Sequence, residues 1–125
     1  MGYLTSDTKS IAQMTAEIRG VNVEKGWREP GKNTFGDYIA LLHSEVSEAL
    51  EAYRIWKLMD GTAGSDITPG GNPGAKPQGV GSEMADVFIR LLDMCDVYRI
   101  DLEAEYERKL AYNRTRPYQH GGKVL

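Results

Sequence analysis

The chain has 125 residues, of which 41% are hydrophobic and 26% charged, and its formal net charge is −3. This composition indicates one folded domain over 1–125 and argues against a general nucleic-acid binder, which is usually basic. The single cysteine excludes an internal disulfide and favours a cytoplasmic setting. The polar N-terminus and short apolar runs predict neither a signal peptide nor a membrane partner.

Four segments have helical periodicity and none reads as a strong strand, so the sequence predicts an all-α, four-helix fold. Asn33 or Thr34, Ser82 and Asp101 are predicted to cap the last three helices, because short polar side chains accept hydrogen bonds from the first turn. The four predicted helices cover 7–25, 34–57, 83–98 and 101–114.

A Gly/Pro-rich stretch, 60–81, joins the second helix to the third. It holds seven glycines and three prolines, which predicts irregular structure. Long irregular loops in compact domains are usually functional or disordered, so a lid and an insertion without a role both stay open.

Two acidic residues of the second helix fall on or beside its apolar face. With about 100° per residue, Glu45 lies within roughly 60° of Leu42, Ala49 and Trp56, and Glu48 lies at the border of the same arc. A buried carboxylate without a partner costs too much free energy to persist. These positions therefore call for a cation.

The third helix repeats the pattern with Glu83 and Asp86, three residues apart and thus neighbours on the helix surface. Antiparallel packing would bring both pairs together, and carboxylate oxygens are preferred ligands of Mg²⁺ and Mn²⁺. We expect a metal site, although solvated helix faces or salt bridges, for instance to Arg90, would also explain such acids.

The segment from residue 108 onward contains five lysines and arginines and no acid. Lys109 and Asn113 are one helical turn apart, so both can face one ligand, and Arg116 follows closely. A cationic cluster beside a metal centre suits a polyphosphate substrate. The alternative is a solvated basic tail that complements the helix dipole.

Two tryptophans can offer a stacking surface for a nucleobase. Trp27 lies in a Gly/Pro-flanked linker, and Trp56 is better explained as a core residue.

The third helix is apolar on nearly every side. Phe88, Ile89 and Leu92 point away from Val87 and Met94. Four short helices can hardly cover such a surface, so we expect a homodimer or homotetramer.

The motifs Glu45-x-x-Glu48 and Glu83-x-x-Asp86, followed by Lys109 and Asn113, resemble those of the MazG-like, all-α nucleoside triphosphate pyrophosphohydrolases. The resemblance covers residues 27–120. It implies a four-helix MazG-like bundle, completed by oligomerisation, that cleaves (d)NTP to (d)NMP and pyrophosphate with Mg²⁺.

Carried over to this chain, the resemblance assigns the metal ligands and catalytic acids to Glu45, Glu48, Glu83 and Asp86. It assigns substrate contacts to Lys109 and Asn113. Arg90 stands where some relatives have a tyrosine, and we expect it to reach a phosphate of the substrate instead. Ser44 departs from the pattern, because many members carry an acid there.

Two alternatives remain beside this function. One is a phosphoribosyl-ATP pyrophosphatase-like enzyme, and the other is a non-catalytic helical assembly module of the same fold, which Ser44 favours.

Overall fold

The computed structural model describes residues 8–56 and 78–118, and all of its regular elements there are α-helices. The all-α, four-helix prediction is therefore confirmed. The helices are α1, Ile11–Glu24; α2, Phe35–Trp56; α3, Val80–Val97; and α4, Leu102–Thr115.

Side-chain caps set the starts of three helices. Ser10 and Gln13 form a reciprocal capping box at α1, with each side chain accepting from the other residue's backbone N–H. Thr34 and Asp37 do the same at α2, over 3.1 and 2.9 Å. Asp101 accepts from the backbone of α4 at 3.1 Å. The predicted caps Thr34 and Asp101 are confirmed.

The predicted cap of α3 is wrong. Ser82 lies inside the helix, which begins at Val80 after Gly79, and Gly79 makes no side-chain cap. The backbone of Gly79 has φ 106°, which glycine adopts readily, and its carbonyl accepts from the Glu83 N–H at 3.0 Å. A glycine thus supplies the turn without a polar side chain. The end of the stretch predicted as irregular belongs to α3, and its residues 60–77 lie outside the described residues.

A glycine ends α1. Gly26 has φ 77°, its N–H donates to the Val23 carbonyl at 3.1 Å, and the Trp27 N–H donates to the Asn22 carbonyl at 2.9 Å. This pair of bonds is a Schellman motif, and glycine suits its left-handed position. The turn fixes the direction in which the chain leaves α1. Trp27 is part of this turn.

The core lies chiefly between α2 and α3. Tyr38, Ala49 and Ala52 are buried on α2, and Leu92 and Met94 are buried on α3. The two alanines leave room for close approach of the helices. In contrast, α4 has no buried residue.

The sequence suggested open apolar surface on nearly every side of α3. In the structure, part of that surface is covered within the chain. Leu92 is only 1% exposed, and with Ile11 of α1 it lines a small cavity, so α1 covers this side within the chain. Phe88 and Ile89 are 36% and 41% exposed. Met84, near the start of α3, is also exposed, at 56%. Of the three residues that the sequence placed on the open side of α3, Phe88 and Ile89 remain exposed and Leu92 does not.

No helix in the described parts of the chain is long and apolar enough to cross a membrane.

Candidate functional site

Three carboxylates meet where α2 packs against α3. Glu45 of α2, and Glu83 and Asp86 of α3, each place an oxygen so that all three lie within 4.8 Å of one another. The i,i+3 spacing puts the two α3 side chains on one edge of that helix. The helix packing then supplies the third carboxylate. We call these residues the acidic cluster.

Glu45 is the buried member of the acidic cluster, at 9% exposure. Its Oε1 accepts a long hydrogen bond of 3.3 Å from Nε of Arg90, whose side chain is 40% exposed. Its Oε2 is buried and has no hydrogen-bond partner among the described residues. A buried carboxylate oxygen without a partner costs on the order of 1–3 kcal/mol. Oε2 of Glu45 is thus open to a cation, and three carboxylate oxygens fit a hard divalent ion.

Glu48 is not part of the acidic cluster. Its side chain is exposed one helical turn beyond Glu45. The helical wheel places it at the border of the apolar arc, and packing of α2 leaves that border open to solvent. The acidic cluster thus contains three of the four acids of the two sequence motifs.

A cavity of about 630 Å³ adjoins the acidic cluster, within the size range of small-molecule sites. From α3 it is lined by Asp86, Ile89, Arg90 and Asp93. From α1 and the following linker it is lined by Asn22, Trp27, Lys32 and Asn33, and from α2 by Tyr38 and Glu45. The cavity therefore combines carboxylates, cations, amides and aromatic rings.

The structure brings two of the predicted substrate residues to this cavity and leaves three elsewhere. Trp27, 55% exposed, and Arg90 are part of its lining. Lys109 and Asn113 lie exposed on α4, as does Arg116 just after it, and none of the three is among the lining residues. Arg116 instead lies over the Tyr112 ring, 5.9 Å from its centre.

Sequence reasoning missed a chain of ion pairs beside the cavity. Arg28 binds Oδ1 of Asp93 through Nε at 2.8 Å and Nη2 at 2.7 Å, and its Nη2 reaches Oδ2 of Asp96 at 3.0 Å. Arg19 binds the same Asp96 carboxylate with two hydrogen bonds of 2.6 and 2.8 Å. Two arginines and two aspartates thus form one chain of alternating charge.

These ion pairs have an electrostatic consequence at Asp96. The hydrogen bonds from Arg19 and, against the effect of partial burial, from Arg28 lower the pKa of Asp96 from 3.8 to about 2. The sequence signal was the pair of acids at i,i+3 inside an otherwise apolar part of α3. Their partners come from α1 and the linker after it, which local periodicity does not reveal.

No family model, no curated protein and no solved structure matches this chain.

Proposed function

We propose that this protein is a MazG-like nucleoside triphosphate pyrophosphohydrolase that uses Mg²⁺ or Mn²⁺ and releases pyrophosphate and a nucleoside monophosphate. The observation that supports it most is the acidic cluster, with the bare Oε2 of Glu45 at the edge of a ligand-sized cavity. The resemblance of this chain's motifs to those of the MazG-like family favours this chemistry among the metal-dependent hydrolyses.

In this proposal, Glu45, Glu83 and Asp86 hold the metal. A divalent ion there would neutralise phosphate charge and lower the pKa of a bound water. The three carboxylates would hold the ion from two helices. The packing of α2 against α3 keeps these carboxylates at a fixed distance from one another. Glu48 is proposed as a fourth ligand from the motif alone, because its side chain is exposed in this chain.

The rest of the cavity suits the nucleoside and its phosphates. Trp27 offers a ring for stacking on a base, and the amides of Asn22 and Asn33 offer both donors and acceptors. Arg90, next to the acidic cluster, and Lys32 are the lining cations that would meet phosphate oxygens. Lys109, Asn113 and Arg116 are proposed as substrate contacts from the resemblance alone.

The decisive experiment measures pyrophosphate release from all canonical ribo- and deoxyribonucleoside triphosphates and from phosphoribosyl-ATP, with Mg²⁺ or with EDTA. Phosphorus NMR of the first products identifies the cut. We expect pyrophosphate and a monophosphate, in the presence of metal only. A nucleoside diphosphate with inorganic phosphate would contradict the α–β cut, and no release from any substrate would favour the non-catalytic assembly module.

Asp86→Asn removes a ligand charge with little change in volume and should lower kcat at least about 100-fold, since transition-state charge stabilisation is usually the largest catalytic contribution. Glu51→Gln is the matched control, because Glu51 is an exposed acid of α2 that pairs with Arg54 outside the cavity. Equal activity of the two variants would contradict the proposed role of the acidic cluster.

A further inference from the structure

The cavity has one wall that no helix provides. Residues 25–34, between α1 and α2, form turns rather than regular structure, and Trp27, Lys32 and Asn33 of this linker line the cavity. A wall made of turns needs side-chain bonds to keep its place, because few backbone bonds tie it to neighbouring elements.

We propose that Arg28 is a positioning residue whose ion pair with Asp93 fixes this linker against α3 and so holds Trp27 at the cavity. This inference rests on the proposed function, because it takes the cavity as the nucleotide site. Arg28 itself is not a lining residue. It acts on the ligand through its sequence neighbour Trp27 and through Asp93.

The geometry of the pair supports a fixed position. The side chains of Arg28 and Asp93 are 15% and 10% exposed, and the guanidinium makes bonds of 2.7 to 3.0 Å to two carboxylates of α3. A planar guanidinium bound at several points restricts rotation of the whole side chain, unlike a single ammonium contact. On the other side of Arg28, the turn bond from the Trp27 N–H to the Asn22 carbonyl holds the backbone.

The pair also controls charge in the cavity. Asp93 lines the cavity along with Glu45 and Asp86, and Arg28 is its ion-pair partner. Without Arg28, Asp93 would be an uncompensated carboxylate beside a site proposed to receive a polyphosphate. Asp96 would lose one bond but would still be held by Arg19, so loss of Arg28 exposes mainly the charge of Asp93.

Arg19 provides the matched control. Arg19→Gln makes the same charge change as Arg28→Gln and also breaks an ion pair with α3. However, Arg19 is 50% exposed, is absent from the lining of this cavity and does not touch Asp93. An effect shared by both variants would therefore come from stability or net charge. An effect of Arg28→Gln alone would come from the lost attachment of the linker to α3.

The test uses the full chain with Trp56→Phe, which leaves Trp27 as the one tryptophan of the sequence. Time-resolved fluorescence anisotropy then reports how freely the Trp27 ring moves. We expect faster local depolarisation in Arg28→Gln and Asp93→Asn, an intermediate result in Arg28→Lys, and no change in Arg19→Gln. Circular dichroism checks that each variant keeps its helices.

The kinetic readout is the split between KM and kcat for the best triphosphate. Arg28→Gln should raise KM on the order of tenfold and change kcat less than about twofold, because the acidic cluster on α2 and α3 is untouched. Unchanged Trp27 anisotropy in Arg28→Gln or Arg28→Lys would overturn the proposal, as would equal effects of Arg19→Gln. If the parent hydrolyses no nucleotide, the proposed function fails, and the anisotropy still decides the role of Arg28.

Discussion

Among single residues, Glu45 combines burial, negative charge and incomplete hydrogen bonding. Its Oε2 has no partner in the described part of the chain, and its bond to Arg90 is long. Such a group destabilises the metal-free protein and gains most from a bound cation. A substitution of Glu45 should therefore have two opposite effects: it should relieve the cost in the metal-free protein and reduce the stabilisation by a metal ion.

We predict that Glu45→Gln leaves the midpoint of thermal unfolding in EDTA unchanged or higher, because the amide removes a buried charge and can still accept from Arg90. The same variant should lose most of the stabilisation that Mg²⁺ or Mn²⁺ gives to the unmodified chain. Thermal melts with EDTA and with each metal measure both quantities. Glu51→Gln is the control, and an undiminished metal response in Glu45→Gln would contradict the cluster as the metal site.

Asp96 makes stability depend on pH. Its folded pKa of about 2 lies below the ordinary 3.8, so the ionised carboxylate stabilises the fold above pH 3.8, and this stability is lost as the pH falls toward 2. The shift corresponds to on the order of 2 kcal/mol. Urea unfolding of Asp96→Asn should therefore show a deficit near neutral pH that shrinks near pH 2. A deficit independent of pH would mean that packing, not charge, stabilises this position.

At the scale of elements, α1 and α3 end in the same backbone motif, but only α1 has a glycine at its left-handed position. α3 ends in a Schellman motif, in which the Ile100 N–H donates to the Cys95 carbonyl at 2.8 Å and the Arg99 N–H to the Asp96 carbonyl at 3.2 Å. The left-handed position, φ 56°, is held by Arg99 rather than by glycine. An L-residue pays on the order of 1 kcal/mol for that conformation.

We predict that Arg99→Gly raises the free energy of unfolding by about 0.5–1 kcal/mol, because glycine adopts positive φ without the Cβ clash. Arg99→Ala serves as control: it removes the same side chain but retains the Cβ and should bring no gain. Chemical denaturation of the three proteins measures the difference. Equal gains for both variants would assign the effect to the side chain, not to the backbone.

Helix periodicity predicted all four helix starts within about four residues, because it depends on neighbours in sequence. The cap of α3 was predicted wrongly, since a glycine turn replaced the polar cap that Ser82 would have supplied. Glu45 and Glu83 were predicted from their positions on apolar faces, and Asp86 from its i,i+3 spacing to Glu83. Their approach to one another depended on how α2 packs on α3, which no single helix encodes.

At the scale of the whole molecule, α4 and part of α3 leave apolar surface open. Phe88 and Tyr106 are 36% and 59% exposed, and with Leu102 and Ala104 they line a cavity of about 740 Å³. α4 has no buried residue. Surfaces of this kind are common at contacts between subunits.

We predict a homodimer or homotetramer at micromolar concentration, with two or four times the 13.9 kDa of one chain in sedimentation. Phe88→Glu should shift the distribution toward the monomer, because it places a charge on the exposed apolar surface of α3. A stable monomer of the unmodified chain would show that the open surface between α3 and α4 is not a subunit contact.

The sequence by itself determined the four helices, two of the side-chain caps and the acidic residues that interrupt apolar faces, because each depends on spacing along the chain. Tertiary structure decided which acids meet: Glu45, Glu83 and Asp86 converge, and Glu48 stays exposed. It also decided that Arg28, from a linker without periodicity, pairs with Asp93 of α3. The two residues are 65 positions apart, and only the packing of α1 and α2 on α3 brings them within bonding distance.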